Sequence, residues 1–194
     1  MTSWTRWGPV YWHGGLYRGA MRLLRGAAHA QTYRSAARET GGLSTLELCC
    51  GEGELERSLG GADYRGIDLN PAFVASARRR GLRVEQGDVL IAPWPAADCL
   101  VIIDSLYHFL PDADAFMAKA LAHPFKRFVV SESVTHVASD PRPWVAALAA
   151  WATRVDGRDV TARFDEPGLL ALLRRHGFQR MRREGANVIG VLER

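Results

Sequence analysis

From residue 44 onward, strand-like and helix-like segments alternate along this chain, and this alternation limits the folds that it can adopt. Short apolar runs, such as 44–49 and 99–103, are typical of strands buried on both faces of a parallel sheet. Segments with helical periodicity, such as 112–122 and 166–176, lie between or after such runs. Strands that alternate with helices predict an α/β domain with a mainly parallel sheet and right-handed crossovers.

The predicted elements account for most of the chain. The strands are 44–49, 64–67, 82–85, 99–103, 127–131, 178–183 and 187–192. The helices are 14–37, 71–80, 112–122, 141–154 and 166–176, with a short one ending at Leu59. Gly185-Ala186 is too short a link for a crossover helix, so we expect the last two strands to form an antiparallel hairpin. The prediction is one domain, with a doubly wound seven-stranded sheet over 43–194 and an N-terminal helical segment over 1–42.

Composition favours a compact domain in a reducing compartment. The chain has 194 residues, of which 47% are hydrophobic, and a net charge of +4, which argues against disorder. Its three cysteines, Cys49, Cys50 and Cys99, form neither a disulfide framework nor a zinc pattern, which favours the cytoplasm. No apolar run approaches the ~18 residues of a membrane-spanning helix. The basic residues lie scattered along the chain, whereas nucleic-acid-binding proteins gather them on one face, so a nucleic-acid partner is not expected.

A Gly-x-Gly turn follows the first predicted strand. Gly51 and Gly53 allow the backbone to turn sharply and to approach a ligand closely. A dinucleotide-binding loop would have a third glycine where Glu56 stands. Glu52, Glu54 and Glu56 would repel a pyrophosphate at this helix N-terminus, so the turn favours a cationic or zwitterionic ligand.

Carboxylates stand near the ends of four predicted strands in succession. They are Glu47, Asp68, Asp88 and Asp104. Parallel sheets bind ligands outside the carboxyl ends of their strands, where these side chains would meet. The set, together with the Gly-x-Gly turn, indicates a nucleoside with a positively charged tail rather than a phosphate-bearing cofactor.

In their order along residues 44–194, these segments resemble the class I S-adenosylmethionine-dependent methyltransferases. Residues 46–54, LELCCGEGE, are similar to the family's first motif, E/D-x-G-x-G-x-G, with Cys49 in place of the first glycine. Later segments are similar to the acidic ribose ligand (64–73), the adenine site (87–89), the fourth motif (99–109), and the closing helix and reversed final strand (163–194). The resemblance implies a Rossmann-like methyltransferase fold, S-adenosylmethionine as cofactor, and no metal.

The resemblance also implies which residues contact the cofactor. Asp68 would bind the ribose diol and Leu69 would lie against the adenine. Asp88 would accept from the exocyclic amine and Val89 would donate from its backbone. The full implied set is Glu47, Cys49, Gly51, Gly53, Asp68, Leu69, Asp88, Val89, Asp104 and Ser105, with Tyr11 from the N-terminal segment.

The acceptor side is expected where residues follow the fourth strand and where an aromatic-rich segment precedes the first. Tyr107 and His108 follow the fourth strand, and they are the catalytic candidates together with His13. Tyr11 and His13 belong to a run of aromatic residues that would either form a lid over the acceptor or pack the N-terminal helix onto the sheet. A general base is needed only if the acceptor loses its proton as it attacks.

The function predicted from sequence is methyl transfer to an oxygen or nitrogen atom of a small organic molecule, with carbon as a further option. Asp104-Ser105-Leu106-Tyr107 lacks the paired prolines of DNA N-methyltransferases. The alternatives are an RNA or protein methyltransferase, or a catalytically silent protein that binds the cofactor and serves as an assembly partner. An NAD-dependent oxidoreductase is more distant, because Asp68 fits it but Glu56 does not.

Overall fold

The computed structural model describes residues 28–135 and 162–194, and all structural statements below concern these residues. They form a seven-stranded sheet of order β3-β2-β1-β4-β5-β7-β6. The strands are β1 (Thr45–Leu48), β2 (Tyr64–Asp68), β3 (Val84–Gln86), β4 (Cys99–Ile103), β5 (Arg127–Ser133), β6 (Arg180–Glu184) and β7 (Asn187–Glu193). β1 to β5 pair in parallel, and β7 is antiparallel to both β5 and β6. The predicted mainly parallel sheet with its closing antiparallel hairpin is confirmed.

Helices connect these strands. They are α1 (residues 28–40), α2 (Pro71–Arg79), α3 (Ala113–Ala122) and α4 (Glu166–Arg175), with short 3-10 helices at Leu55–Ser58 and Leu106–Phe109. Local chemistry explains two helix starts: Asn70 accepts a hydrogen bond from Ala72 N at 2.9 Å, and Asp165 accepts one from Gly168 N at 2.8 Å. The predicted helix 141–154 and the first half of 14–37 lie outside the described residues.

The sheet separates two hydrophobic cores, because alternate residues of each strand face opposite sides. On one face, Leu100 and Ile102 of β4 join Phe116 of α3 and Leu169 of α4. On the other face lie Cys99, Val101 and Ile103 with side chains of α1, α2 and the first 3-10 helix. This three-layer arrangement confirms the doubly wound α/β fold.

The strand order fixes where a ligand site can form. β1 lies between β2 and β4, so the chain winds outward in one direction from β1 and in the other from β4. A crevice opens at the carboxyl ends of strands at such a reversal, and open α/β sheets bind their ligands there. Among the described residues, no helix is both long and apolar enough to cross a bilayer.

Candidate functional site

The turn after β1 has a left-handed backbone at three positions. Cys49, Gly51 and Gly53 have φ angles of 57°, 56° and 73°. A β-carbon on Gly53 would lie 2.7 Å from Leu82 Cδ1, so neighbouring side chains would have to shift, whereas one on Gly51 would meet only Phe73 at 3.7 Å. Cys49 adopts a conformation that costs a non-glycine residue energy, as residues at functional sites often do.

Asp68 links this turn to the end of β2. Its Oδ2 accepts a hydrogen bond from Gly51 N at 2.7 Å, and its Oδ1 accepts one from Asn70 N at 2.8 Å. Burial raises the pKa of Asp68 to about 6, although both backbone donors favour the ionised form. The carboxylate is therefore ionised in most molecules at pH 7, and it has acceptor sites beyond those two bonds.

The residues predicted to hold the adenine lie after β2 and β3. Leu69 is 36% exposed, which is unusual among the large apolar residues of the described chain. Asp88 Oδ1 accepts a hydrogen bond from Leu90 N at 2.8 Å, and the Val89 carbonyl accepts one from Trp94 Nε1 at 3.0 Å. These contacts give the loop after β3 a defined shape next to an exposed apolar side chain.

Carboxylates converge on the end of β1. Burial raises the pKa of the Cys49 thiol, and the negative charges of Asp68, Asp88, Glu47 and Glu132 raise it further. These side chains come from four different strands or the loops that follow them, so the sheet brings them to one neighbourhood. The expected clustering of Asp68 and Asp88 agrees with this geometry.

Glu47 differs from the other predicted cofactor residues because it lies inside β1 and is buried. The Tyr64 hydroxyl donates to Glu47 Oε2 at 2.6 Å. Burial raises the pKa of Glu47 to about 8, against the opposing effect of that hydrogen bond. The structure thus gives Glu47 a partner within the protein, and its predicted contact with the cofactor stays a prediction.

Asp104 stands at the end of β4 with an unusual backbone. Its φ is 47°, and its amide donates to the Ser131 carbonyl at 2.8 Å. Asn187 Nδ2 donates to Asp104 Oδ1 at 2.7 Å and to Ser131 Oγ at 3.2 Å. Ser105 Oγ donates to the Ile103 carbonyl at 2.9 Å. The strained residue is held by contacts from β5 and β7, on the far side of the crevice from Asp68.

Glu132 is a candidate site residue that sequence reasoning missed. It lies in β5, which runs two residues beyond its predicted end, and it is buried. Its carboxylate accepts hydrogen bonds from Leu106 N at 2.6 Å and Ser133 N at 3.2 Å. Burial and the nearby charge of Asp104 raise the pKa of Glu132 to about 8. The available signal was a carboxylate following an apolar strand, as at β2, β3 and β4.

The 3-10 helix after β4 carries the two described catalytic candidates. The rings of Tyr107 and His108 lie 4.1 Å apart, and the Arg163 guanidinium lies 3.9 Å from the centre of the Tyr107 ring. Burial, with a smaller contribution from Arg163, lowers the pKa of His108 to about 4. His108 is therefore neutral at pH 7, and its low pKa makes it a weaker base than an ordinary histidine. Its catalytic role stays a prediction, and Tyr11 and His13 lie outside the described residues.

Comparison with known proteins finds similarity to methyltransferases. Residues 46–123 match a family model described as a methyltransferase domain. This stretch contains β1 to β4 and the turn, carboxylates and 3-10 helix described above. Over this stretch the chain is similar to methyltransferase domains, and its fold is shared by solved methyltransferases. The family and the fold predicted from the motifs are confirmed.

Individual proteins are similar to longer stretches of the chain. A probable phthiotriol/phenolphthiotriol dimycocerosates methyltransferase 2 from Mycobacterium ulcerans (strain Agy99) is 28% identical over 185 residues, covering 84% of this chain and 70% of the relative. Two solved structures share the fold. Mitomycin 7-O-methyltransferase has a TM-score of 0.63 at 22% identity, covering 93% of this chain, which spans 57% of that protein's length. Magnesium protoporphyrin IX methyltransferase from Synechocystis PCC 6803, with bound SAH, has a TM-score of 0.64 at 19% identity, covering 86% and 83% of the two chains.

Among the described residues, no group of three or more His, Cys, Asp or Glu side chains is arranged to hold a metal ion.

Proposed function

We propose that this protein transfers the methyl group of S-adenosylmethionine to an oxygen or nitrogen atom of a small organic acceptor. One observation carries the proposal. Carboxylates from several strands meet where the strand order of a class I methyltransferase sheet reverses. S-adenosylmethionine carries a sulfonium and an α-ammonium, so negative potential in a crevice favours its binding.

The residues in the crevice fit the parts of this cofactor. Asp68 would accept hydrogen bonds from the ribose hydroxyls, using acceptor sites that its two backbone donors leave open. Leu69, exposed beside it, would lie against the adenine, and Asp88 would accept from the adenine amine. Asp104 would border the methionine end. When bound, the cofactor supplies an electrophilic methyl group.

The protein's contribution to the reaction is orientation of the two substrates and exclusion of water. Glu132 holds the 3-10 helix that carries Tyr107 and His108. Neutral His108 would accept a hydrogen bond from the acceptor's hydroxyl or amine and so position it. The Arg163 guanidinium, stacked on Tyr107, would stabilise negative charge that develops on the acceptor oxygen.

A small organic acceptor is supported by the relatives. By their names, they methylate mitomycin at an oxygen, magnesium protoporphyrin IX, and phthiotriol or phenolphthiotriol dimycocerosates. These names span an oxygen acceptor, a macrocycle and a lipid, so they support a non-polymeric acceptor as a class.

We also propose a cytoplasmic location, since all three cysteines are free thiols.

Replacing Asp68 tests the proposed function. In Asp68→Ala we expect the affinity for S-adenosylhomocysteine to fall about tenfold or more, because each lost hydrogen bond to a charged acceptor costs ~1.5–3 kcal/mol. The measurement is isothermal titration calorimetry, with thermal unfolding to confirm that the variant is folded. Asp114→Asn, an exposed carboxylate of α3 paired with Arg175, is the matched control and should bind normally.

The pH dependence of the affinity for the cofactor provides a second test of the role of Asp68. Asp68 is ionised above its pKa of about 6, and only the ionised form offers its full acceptor capacity and negative charge. Affinity for the cofactor should therefore fall as the pH is lowered from 7.5 to 5, and Asp68→Ala should show little of this fall. An Asp68→Ala variant that binds the cofactor as tightly as the wild type would refute the proposed site.

A further inference from the structure

A cavity of about 300 Å³ lies beside the crevice, between α1 and the β5–β7–β6 part of the sheet. Gln31 and Ser35 of α1 line it on one side, and Glu184 lines it together with the hairpin turn that follows. Ser131 and Asn187 contribute lining from β5 and β7. A volume near 300 Å³ is at the lower end of the range for small-molecule sites.

Asn187 connects this cavity to the catalytic crevice. It lines the cavity, while its side-chain amide donates to Asp104 Oδ1 at 2.7 Å and to Ser131 Oγ at 3.2 Å. Asp104 borders the position proposed for the methionine end of the cofactor. The adenosine half of that site lies over β1, β2 and β3, whereas the cavity lies over β5, β7 and β6. A molecule in the cavity is therefore next to the end of the cofactor that carries the methyl group.

Glu184 is the single ionisable side chain among the described residues that line the cavity. Ser35 Oγ and Gln31 Nε2 both donate to its Oε1, the latter at 3.1 Å, and Arg182 donates to its Oε2 at 3.1 Å. The bonds from Ser35 and Gln31 lower the pKa of Glu184, so it is ionised at neutral pH. Its orientation is set from the cavity wall itself, by two side chains of α1.

This carboxylate has acceptor capacity beyond the bonds that it already makes. An ionised carboxylate offers about four lone-pair sites, and the described partners of Glu184 occupy three of them. Arg182 does not cancel its charge outright, because the same guanidinium also donates to Glu39 at 2.6 Å. Among its described contacts Glu184 keeps one acceptor site open, and it contributes a negative charge to a cavity whose other described lining is neutral.

We propose that this cavity holds the methyl acceptor and that Glu184 selects acceptors with a protonated amine remote from the atom that is methylated. The inference rests on the proposed function, which places the cofactor's methyl group beside Asp104. Glu184 is a specificity-determining residue in this account, since it binds a part of the acceptor that does not react.

Three phenols that differ in one group test the proposal. Tyramine carries an ammonium tail, 4-ethylphenol a neutral tail, and 3-(4-hydroxyphenyl)propionate a carboxylate tail. Their binding to the full chain is measured by NMR titration in saturating S-adenosylhomocysteine. We expect tyramine to bind roughly tenfold more tightly than 4-ethylphenol, the factor expected for one charge-assisted hydrogen bond. The carboxylate should bind most weakly.

Variants of Glu184 separate charge recognition from a structural role. Glu184→Gln should abolish the preference for tyramine, while Glu184→Asp, which keeps the charge, should retain most of it. Glu193→Gln is the matched control: this carboxylate of the same hairpin pairs with Arg127 and Arg180 outside the cavity, so the variant should keep the wild-type preference.

The outcomes distinguish this inference from the proposed function. If cofactor binding depends on Asp68 but the three phenols bind equally, or Glu184→Gln still prefers tyramine, the role of Glu184 is wrong and the proposed function stands. Absence of saturable tyramine binding also overturns the inference. If the wild type does not bind the cofactor, the proposed function fails, and the acceptor role of the cavity fails with it.

Discussion

Gly53 and Gly51 stand two residues apart in the same motif, yet the folded protein needs them for different reasons. Both have a left-handed backbone. Gly53 additionally faces Leu82 Cδ1 at 2.7 Å and the Tyr64 hydroxyl at 3.1 Å from an ideal β-carbon position, whereas Gly51 has space. The motif residue expected to make room for a ligand thus also makes room for the protein's own core.

This difference predicts the effect of adding one methyl group. Gly53→Ala should destabilise the protein by about 2–5 kcal/mol, the sum of a left-handed backbone and an overpacked contact. Gly60→Ala is the matched control, because Gly60 has a φ of 62° with nothing within 4 Å, so it should cost only ~1–2 kcal/mol. Urea denaturation measures both, and equal losses would contradict the packing explanation.

At the scale of elements, the 3-10 helix Leu106–Phe109 is tied to the end of β5 rather than to the strand that precedes it. Glu132 accepts from the backbone of Leu106 and of its own neighbour Ser133. A buried carboxylate therefore joins β5 to the segment that carries Tyr107 and His108. The position of His108, the predicted base, therefore depends on the hydrogen bond between Glu132 and Leu106.

Glu132→Gln should weaken the attachment of the 3-10 helix to β5. Both oxygens of a carboxyl group can accept hydrogen bonds, protonated or not, whereas the amide nitrogen of glutamine cannot, so one of the two backbone amides loses its acceptor. We expect amide hydrogen exchange in a peptide covering residues 104–110 to become several-fold faster, as a loss of about 1 kcal/mol in local opening implies. Glu85→Gln, an exposed carboxylate of β3, should leave this peptide unchanged. Unaltered exchange in Glu132→Gln would show that Glu132 does not hold the helix.

For the whole molecule, buried carboxyl groups make stability depend on pH. Glu47 and Glu132 both have a pKa of about 8 in the folded protein, against an ordinary value of 4.5. Between pH 4.5 and 8 the folded state keeps protons that the unfolded chain has released. Each group therefore contributes stability that is present below pH 4.5 and is lost as the pH rises through 8.

Glu47→Gln isolates one of these groups. Glutamine can still accept from the Tyr64 hydroxyl, but it does not titrate. The free energy of unfolding should fall less between pH 5.5 and 8.5 in the variant than in the wild type, by up to about 1.4 kcal/mol per pH unit. Urea denaturation at pH 5.5, 7 and 8.5 provides the comparison, in which every other titrating group is shared. Parallel pH profiles for the two proteins would mean that Glu47 is not buried as described.

Much of the architecture could be predicted from local patterns. Apolar runs, helix caps and the two-residue Gly185-Ala186 link predicted the strands, the helices and the closing hairpin, because these depend on periodicity and turn chemistry over a few residues. The same patterns placed Asp68, Asp88 and Asp104 after their strands. In a parallel sheet the carboxyl ends of the strands lie at one edge, so the location of the crevice could be predicted as well.

The partners of the buried polar groups required the folded structure, because strand pairing brings together residues that lie far apart in the chain. β5 extends to Ser133 because that residue pairs with Asn187 of β7, and this pairing brings Glu132 into the site. Register between β1 and β2 gives Glu47 the Tyr64 hydroxyl as its partner. The cavity at Glu184 likewise forms only where α1 meets the hairpin, since neither element encloses a volume without the other.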